Sequence, residues 1–388
     1  MWSMDDACLK CTLCTSQCPV YREDPEFLGP KALGPEWWRR WQSGDHLTLS
    51  HVDDCTFCQL CEAACPVGVP VAHLIAEHKS RRPQRLPLRL RDWVISRPHW
   101  IARFPQLAHV PVPVNRWFHL SQKSQRPIRR RTTLNRPATS LSSQTVVGLY
   151  VDCFTRGFDA DLVEMARFLL ELWGWTVQIV PSESSCCGAA AYASGRPGDA
   201  MQIAQQTASR LAGNAQSANT LITLNATCDG TIREEWPRYF GIDLPMEVIP
   251  FGEFAIQQAP QAFWEYLAMS AEDMGSLYCH TTCRGKVARG EGNLSDIGRR
   301  AGFAVQPLNL ACCGAAGSYA FKAEHEEVAH RLGSQVLEEI APGKTGGIMV
   351  DSGTCALHLQ QITGMIARHP VYWLFTRYQE RSSRDHAN

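Results

Sequence analysis

The sequence predicts an α+β multidomain protein. A helical N-terminal unit is built around two cysteine runs, and two copies of an α/β (Rossmann-like) unit follow, each with a Cys-Cys-Gly step. Three observations predict it. Cys8-x2-Cys11-x2-Cys14-x3-Cys18-Pro19 recurs as Cys55-x2-Cys58-x2-Cys61-x3-Cys65-Pro66. From residue 145 onward, strand-like and helix-like segments alternate, the pattern of parallel sheets. In that half Cys153, Cys187 and Cys228 return as Cys279, Cys313 and Cys355, at offsets of 126, 126 and 127, which indicates an internal duplication. The expected divisions are 1–82, 83–144, 145–274 and 275–388. A chain of 388 residues suits several domains, and 45% apolar with 20% charged residues is an ordinary globular balance.

Composition narrows the chemistry. Lys plus Arg and Asp plus Glu both number 38, so no wholly basic or acidic partner is implied. No apolar run approaches the ~18–20 residues that cross a bilayer. The N-terminus lacks the basic start and apolar core of a secretory signal, so a cytoplasmic location is expected. Seventeen cysteines in such a chain point to metal or redox chemistry, because structural disulfides are disfavoured there.

In each N-terminal run three thiols at two-residue spacing can wrap one face of a cubane. The fourth, followed by Pro, reaches the neighbouring cluster. One 4Fe-4S cluster then takes Cys8, Cys11, Cys14 and Cys65, and the other takes Cys55, Cys58, Cys61 and Cys18. Zinc prefers two pairs of ligands and does not call for a triple run plus Cys-Pro. The crossed ligands make this a ferredoxin-type unit that folds around its metal. Between the runs, Gly29-Pro30 and Gly34-Pro35 read as a loop, followed by a helix over 36–41. A second helix is expected over 69–79.

Residues 79–136 hold fifteen Lys/Arg against one acid, Asp92. They also carry Trp93, Trp100 and Trp117 with Leu88, Leu90, Val94, Ile95, Ile101 and Phe104. This mixture suits an anionic headgroup interface or a partner surface. The bland alternative is core tryptophan beside a solvated arginine face, and Pro98, Pro105, Pro111 and Pro113 break any long amphipathic helix. No base-reading or RNA-binding motif is present, so nucleic acid is not expected.

In the C-terminal half, strands are expected at 145–151, 176–180 and 220–224, with helices at 159–173 and 198–212. The second copy has strands at 276–279, 303–308 and 347–350, with helices at 294–301 and 324–339. Every cysteine group falls where a strand ends, the usual place for a site in such folds. Gly188 and Gly314 give the Cys-Cys steps the freedom for a sharp turn. The first copy offers Cys153, Cys186, Cys187 and Cys228. The second offers Cys312, Cys313 and Cys355, with Cys283 or Cys279 as the fourth. His280 reads as structural more readily than as a ligand. Asp152, Asp229 and Asp351 suit helix capping better than ligand orientation. No Gly-x-Gly-x-x-Gly, Walker A or Ser-His-Asp pattern is visible, so neither flavin nor nucleotide and no catalytic triad is expected.

These residues resemble the Cys-Cys-Gly family of iron–sulfur subunits, such as those of anaerobic glycerol-3-phosphate dehydrogenase, of glycolate and lactate oxidation systems and, more distantly, heterodisulfide reductase. The resemblance rests on Cys8-Leu-Lys-Cys-Thr-Leu-Cys14, Gly29-Pro-Lys31, Gly34-Pro35, Cys65-Pro66, Cys186-Cys-Gly188, Thr227-Cys228, Arg233-Glu-Glu-Trp-Pro237, His280-Thr-Thr-Cys283 and Cys312-Cys-Gly-Ala-Ala-Gly-Ser-Tyr319. It implies an electron relay from a flavoprotein dehydrogenase, most closely one acting on sn-glycerol 3-phosphate, to membrane quinone. It also implies at least one further iron–sulfur cluster in the Cys-Cys-Gly units and peripheral contact with the inner face of the membrane. By resemblance Cys283 is the fourth ligand of the second site and Cys279 an extra thiol. Asn225 and Ser352 stand where heterodisulfide reductase domains carry the first cysteine of a Cys-x-x-Cys pair.

Overall fold

The computed structural model describes residues 7–98, 120–121, 145–180, 185–214, 218–268, 276–289, 293–340 and 346–385. In the first run Lys10 and Thr12, on either side of Cys11, have φ of 59° and 66°. Phe57 and Gln59 repeat this around Cys58, with φ of 58° and 64°. A side chain in this left-handed region costs about 1–2 kcal/mol. The same strain at four matched positions marks backbone bent to suit its cysteines.

Residues 29–42 are helical throughout, as Gly29–Lys31, a π-helical stretch Ala32–Glu36, and Trp37–Gln42. The expected loop at the Gly-Pro steps is therefore incorrect. Pro30 lies in the first turn, where its missing N–H forfeits no hydrogen bond. Pro35 falls in the wide π turn, which spares the usual ladder. Gly34 allows close approach to the helix Val71–Arg81: a Cβ there would stand 3.2 Å from the Val71 carbonyl oxygen. Leu33 packs with Val71, Leu74 and Ile75, and Trp37 stacks on His78 at 4.2 Å.

In the described part of the basic segment, residues 79–98, several of the charges are turned inward. Lys79 is buried and donates to the carbonyls of Cys55 (2.9 Å) and Ala193 (3.0 Å). Asp92, on the helix Leu86–Ile95, is buried among Arg82 (3.2 Å), Arg91 (3.0 Å) and Lys322 (3.2 Å). Burial opposes its ionisation, yet Lys322 and Arg91 hold its carboxyl down at about 2. Arg91 also meets Glu324, and Arg97 meets Asp199. A uniformly outward basic surface is thus not what this part of the segment forms. On its outer side the same helix exposes Leu86 (77%), Leu90 (43%) and Val94 (38%), one turn apart, beside exposed Arg85 and Arg89. Trp100, Ile101, Phe104 and Trp117 lie outside the described residues.

Strands β1 (Val146–Tyr150), β2 (Thr176–Val180), β3 (Thr220–Thr223) and β4 (Glu247–Pro250) form a parallel sheet in the order β2-β1-β3-β4. Strands β5 (Ser276–His280), β6 (Ala304–Pro307), β7 (Gly346–Val350) and β8 (Ile366–Arg368) form a second parallel sheet, ordered β6-β5-β7-β8. The chain leaves the first strand of each sheet to one side and returns to the other. The crevice at that switch lies beyond the C-terminal ends of β1 and β3, and of β5 and β7. The first strands begin 130 positions apart, at Val146 and Ser276. Cys153 and Cys283 therefore occupy the same place, each opening the helix after the first strand (Cys153–Phe158 and Cys283–Arg289). The 126-residue pairing of Cys153 with Cys279 is corrected accordingly.

The two sheet units interlock. The helices Phe251–Gln258 and Gln261–Ala268, after β4, pack on Asn293–Arg300 of the second unit. In return Pro370–Asp385, after β8, packs on Ala160–Leu172 of the first, with Phe168 edge-on to Phe375 at 5.2 Å. One apolar core consequently runs from Leu149 and Leu169 to Leu277, Ile297 and Leu374. Among the described residues no helix is long and apolar enough to cross a membrane.

Candidate metal centres

Cys8, Cys11, Cys14 and Cys65 line one pocket, walled by Lys31, Pro35, Val67 and Val69. The last cysteine of the second run thereby joins the first run. The backbone N–H groups of Lys10 and Val69 donate to the sulfurs of Cys8 (3.4 Å) and Cys65 (3.3 Å). The exchange is reciprocal. Burial pushes the Cys18 thiol up to about 12, and among its neighbours the charge of Cys55 adds to the effect. Cys61 is raised well above an ordinary thiol by burial, with Cys58, Cys55 and Cys18 adding. Cys55 accepts from the Phe57 N–H at 3.4 Å.

In the first sheet unit Cys153 follows β1, Cys186 and Cys187 follow β2, and Cys228 follows β3 inside the helix Ala226–Gly230. Their sulfurs meet in pairs, Cys153 with Cys186 at 3.9 Å and Cys187 with Cys228 at 3.3 Å. The second unit repeats the arrangement, with Cys283 facing Cys312 and Cys313 facing Cys355. At each turn the glycine N–H donates to the first sulfur of the step at 3.4 Å, Gly188 to Cys186 and Gly314 to Cys312. Both glycines have positive φ, 91° and 80°. A Cβ on Gly188 would lie 2.8 Å from the Ala200 carbonyl oxygen, and one on Gly314 would overlap that of Ala329. Trp236 Nε1 pins the turn from outside, donating to the Cys187 carbonyl at 2.8 Å.

Cys279 belongs to neither set. It lies on β5 with its side chain in the large core, 3.9 Å from where a Gly298 Cβ would stand, while Tyr278 shares the opposite core with Cys313 and Cys355. Alternation along a strand accounts for this: neighbours point to opposite faces. Burial first, then Ser295 and Arg299 acting against it, leave the Cys279 thiol at about 12.

Of the three nearby acids, Asp152 is a helix cap, accepting from the N–H groups of Phe154 (3.0 Å) and Thr155 (3.2 Å). Asp229 sits inside its helix near Thr223 and Arg233, and the Asp351 carbonyl accepts from Ala226 N–H at 2.9 Å. Asn225 caps the helix bearing Cys228, accepting from Thr227 N–H at 3.1 Å, and Ser352 holds the corresponding cap position before Cys355. The Asn225 side chain thus serves the backbone, whereas the Ser352 hydroxyl meets that of Thr354 at 3.4 Å.

Sequence reasoning missed the residues that join these centres. Glu235 is buried and accepts from Gln59 (2.6 Å), next to Cys58, and from Arg284 (2.7 Å), next to Cys283. Cys58 is raised well above an ordinary thiol by burial first, with the nearby charge of Cys283 adding. Tyr319 is near both Cys55 and Cys312. The available signals were Glu235 within Arg233-Glu-Glu-Trp-Pro237 and the adjacency of Arg284 to Cys283.

The donor set fits a soft, iron-type centre: all sulfur, largely buried, and hydrogen-bonded by backbone N–H groups. Cys187 and Cys228 are raised well above an ordinary thiol, first by a neighbouring sulfur (Cys186 and Cys187 respectively) and then by burial. Such thiols ionise together when a metal takes the place of their protons. A fold of this kind, with these thiol sets, defines an iron–sulfur protein. Residues 4–69 match the family model for a 4Fe-4S dicluster domain, and 147–233 and 277–360 match that for a cysteine-rich domain. The chain thus carries a 4Fe-4S dicluster domain followed by two cysteine-rich domains, the domain set of iron–sulfur subunits. It is 24% identical to one of the subunits of anaerobic glycerol-3-phosphate dehydrogenase from Escherichia coli K12, over 94% of this chain and 96% of that protein. It is equally 24% identical to the glycolate oxidase iron-sulfur subunit of the same organism, over 94% and 91%. One of the subunits of the dihydromethanophenazine:CoB–CoM heterodisulfide reductase from Methanosarcina barkeri is 20% identical over 67% of this chain and 65% of that protein.

Proposed function

We propose that this chain is the electron-transfer subunit of a dehydrogenase complex, taking electrons from a flavoprotein that oxidises a small hydroxy compound and delivering them to a membrane quinone. One observation carries the reading. The four thiol sets follow one another through the fold: Cys8/Cys11/Cys14/Cys65, then Cys18/Cys55/Cys58/Cys61, then Cys283/Cys312/Cys313/Cys355, with Cys153/Cys186/Cys187/Cys228 beyond the Ala226–Asp351 contact. Iron–sulfur clusters at these sets supply one-electron carriers, two of the 4Fe-4S type and at least one more in the sheet units.

The protein sets their environment. Lys79 places a buried cation beside Cys55, which favours added negative charge there. Backbone N–H donors at Cys8, Cys55, Cys65, Cys186 and Cys312 act in the same direction. The relatives support sn-glycerol 3-phosphate as the compound oxidised by the partner, with glycolate or lactate as the second reading, since the glycolate oxidase protein is equally similar. A thiol–disulfide enzyme is disfavoured because Asn225 and Ser352 stand where a further thiol would be needed, and the Asn225 side chain is committed as a helix cap. The exposed stripe Leu86, Leu90 and Val94 with Arg85 and Arg89 supports peripheral contact with an anionic, cytoplasm-facing lipid surface.

Anaerobic purification with the co-purifying flavoprotein tests the proposal. We expect roughly twelve or more irons per chain. The flavoprotein with its hydroxy substrate should reduce them, and a soluble quinone should reoxidise them. About eight irons, or clusters that the flavoprotein cannot reduce, would refute it.

A further inference from the structure

His280 ends β5 as Tyr150 ends β1, at the edge of the crevice where the thiols gather. It is fully buried, and neither ring nitrogen has a hydrogen-bond partner. Other buried histidines of the chain are provided for. His78 meets the Leu33 carbonyl (3.0 Å) and the Leu49 N–H (3.0 Å), and His358 meets the Ala329 carbonyl (3.1 Å). His325 pairs with Asp54 (3.1 Å), and His369 accepts from the Val371 N–H (3.2 Å). An unsatisfied buried polar group is costly, and among the described buried histidines this one alone has both ring nitrogens without a hydrogen-bond partner. What it faces is sulfur. On β5 it takes the same face as Tyr278, which packs with Cys313 and Cys355, and the Cys313 sulfur is its close neighbour.

We propose that His280 is a protein ligand to iron at the second Cys-Cys-Gly site, alongside Cys283, Cys312, Cys313 and Cys355. The first site has no imidazole in this place. Tyr150 stands there, its phenol pushed far up by burial and by the four thiols around it. The two sheet units thus hold chemically different centres on one backbone plan. Both sites keep four thiols, so the added imidazole makes them differ in the kind and number of their donors.

This inference rests on the reading that the sheet units bind iron, and the test separates the two. Holoprotein enriched in 57Fe is prepared anaerobically as wild type, His280→Gln and His280→Ala, its iron is counted, and reduced samples are examined by Mössbauer spectroscopy. Gln keeps a hydrogen-bonding side chain in place but does not ligate as imidazole does. We expect wild type to show a ferrous doublet with a larger isomer shift than thiolate-ligated iron, lost in both variants. An iron content near that of two cubanes would remove the reading beneath the proposal. A fuller iron content with only thiolate-type doublets, or a distinct doublet that survives in both variants, would overturn His280 ligation alone. Should the variants fail to fold, the wild-type spectrum decides.

Discussion

The N-terminal unit and the two sheet units place cysteines around metal-sized spaces by opposite means. In the N-terminal unit the backbone bends to the cysteines: four non-glycine residues beside Cys11 and Cys58 sit at positive φ. In the sheet units the cysteines are fitted to a backbone that stands without them. Parallel strands with Leu149, Ile222, Leu277 and Met349 make a shared core that holds none of the four-cysteine sets, which lie on the opposite sheet faces, and Gly188 and Gly314 take positive φ at the Cys-Cys turns. One region needs its metal to repay strain; the other offers metal a finished pocket.

Metal removal should sharpen this contrast most. Anaerobic chelation is expected to lower the protease resistance of residues 7–82 most, because about 1–2 kcal/mol of strain at each of four residues beside the cysteines then loses the ligation that offsets it. Residues 145–385 should keep their helical and strand signature by circular dichroism. Equal collapse of both regions would break the comparison.

The same contrast explains what could be read in advance. The spacing of the cysteine runs made the crossed sets legible, since Cys65 and Cys18 could serve only across the gap. Buried aliphatic runs such as Val146–Tyr150 made the central strands legible. The edge strands β4 and β8 were not: one ends in Pro250, the other has three residues including Arg368, and neither has the length or periodicity of a strand signal. The pairing of Cys153 with Cys279 misled because spacing counts positions without showing which face a strand residue takes. Glu235 and Arg284 were invisible for another reason. A buried ion pair joining segments 49 residues apart in sequence leaves no local pattern.

That pair ties the regions together, so breaking it probes how far they are independent. Glu235→Ala leaves Arg284 buried without its carboxylate and Gln59 without its acceptor. Stranding one partner of a buried pair costs roughly 3–5 kcal/mol. We expect a loss of that size in urea unfolding, with the N-terminal unit released before the sheet units melt. Simultaneous release of both would mean that their stabilities are not separable at this junction.

A smaller effect is expected at Asp92, which anchors the basic segment to the second sheet unit through Lys322. Its carboxyl is held at about 2 in the folded protein against an ordinary 3.8, so the folded state favours the ionised form. The stabilisation is fully present above pH ~4 and is lost as pH falls through about 2; a shift of this size corresponds to about 2 kcal/mol. Asp92→Asn should therefore lower stability by about that amount at neutral pH, and the gap from wild type should narrow below pH ~4 and close as both are titrated to about pH 2. Urea midpoints followed by tryptophan fluorescence across that range measure it. A gap unchanged with pH would mean that Asp92 acts there through shape and hydrogen bonding, not through its charge.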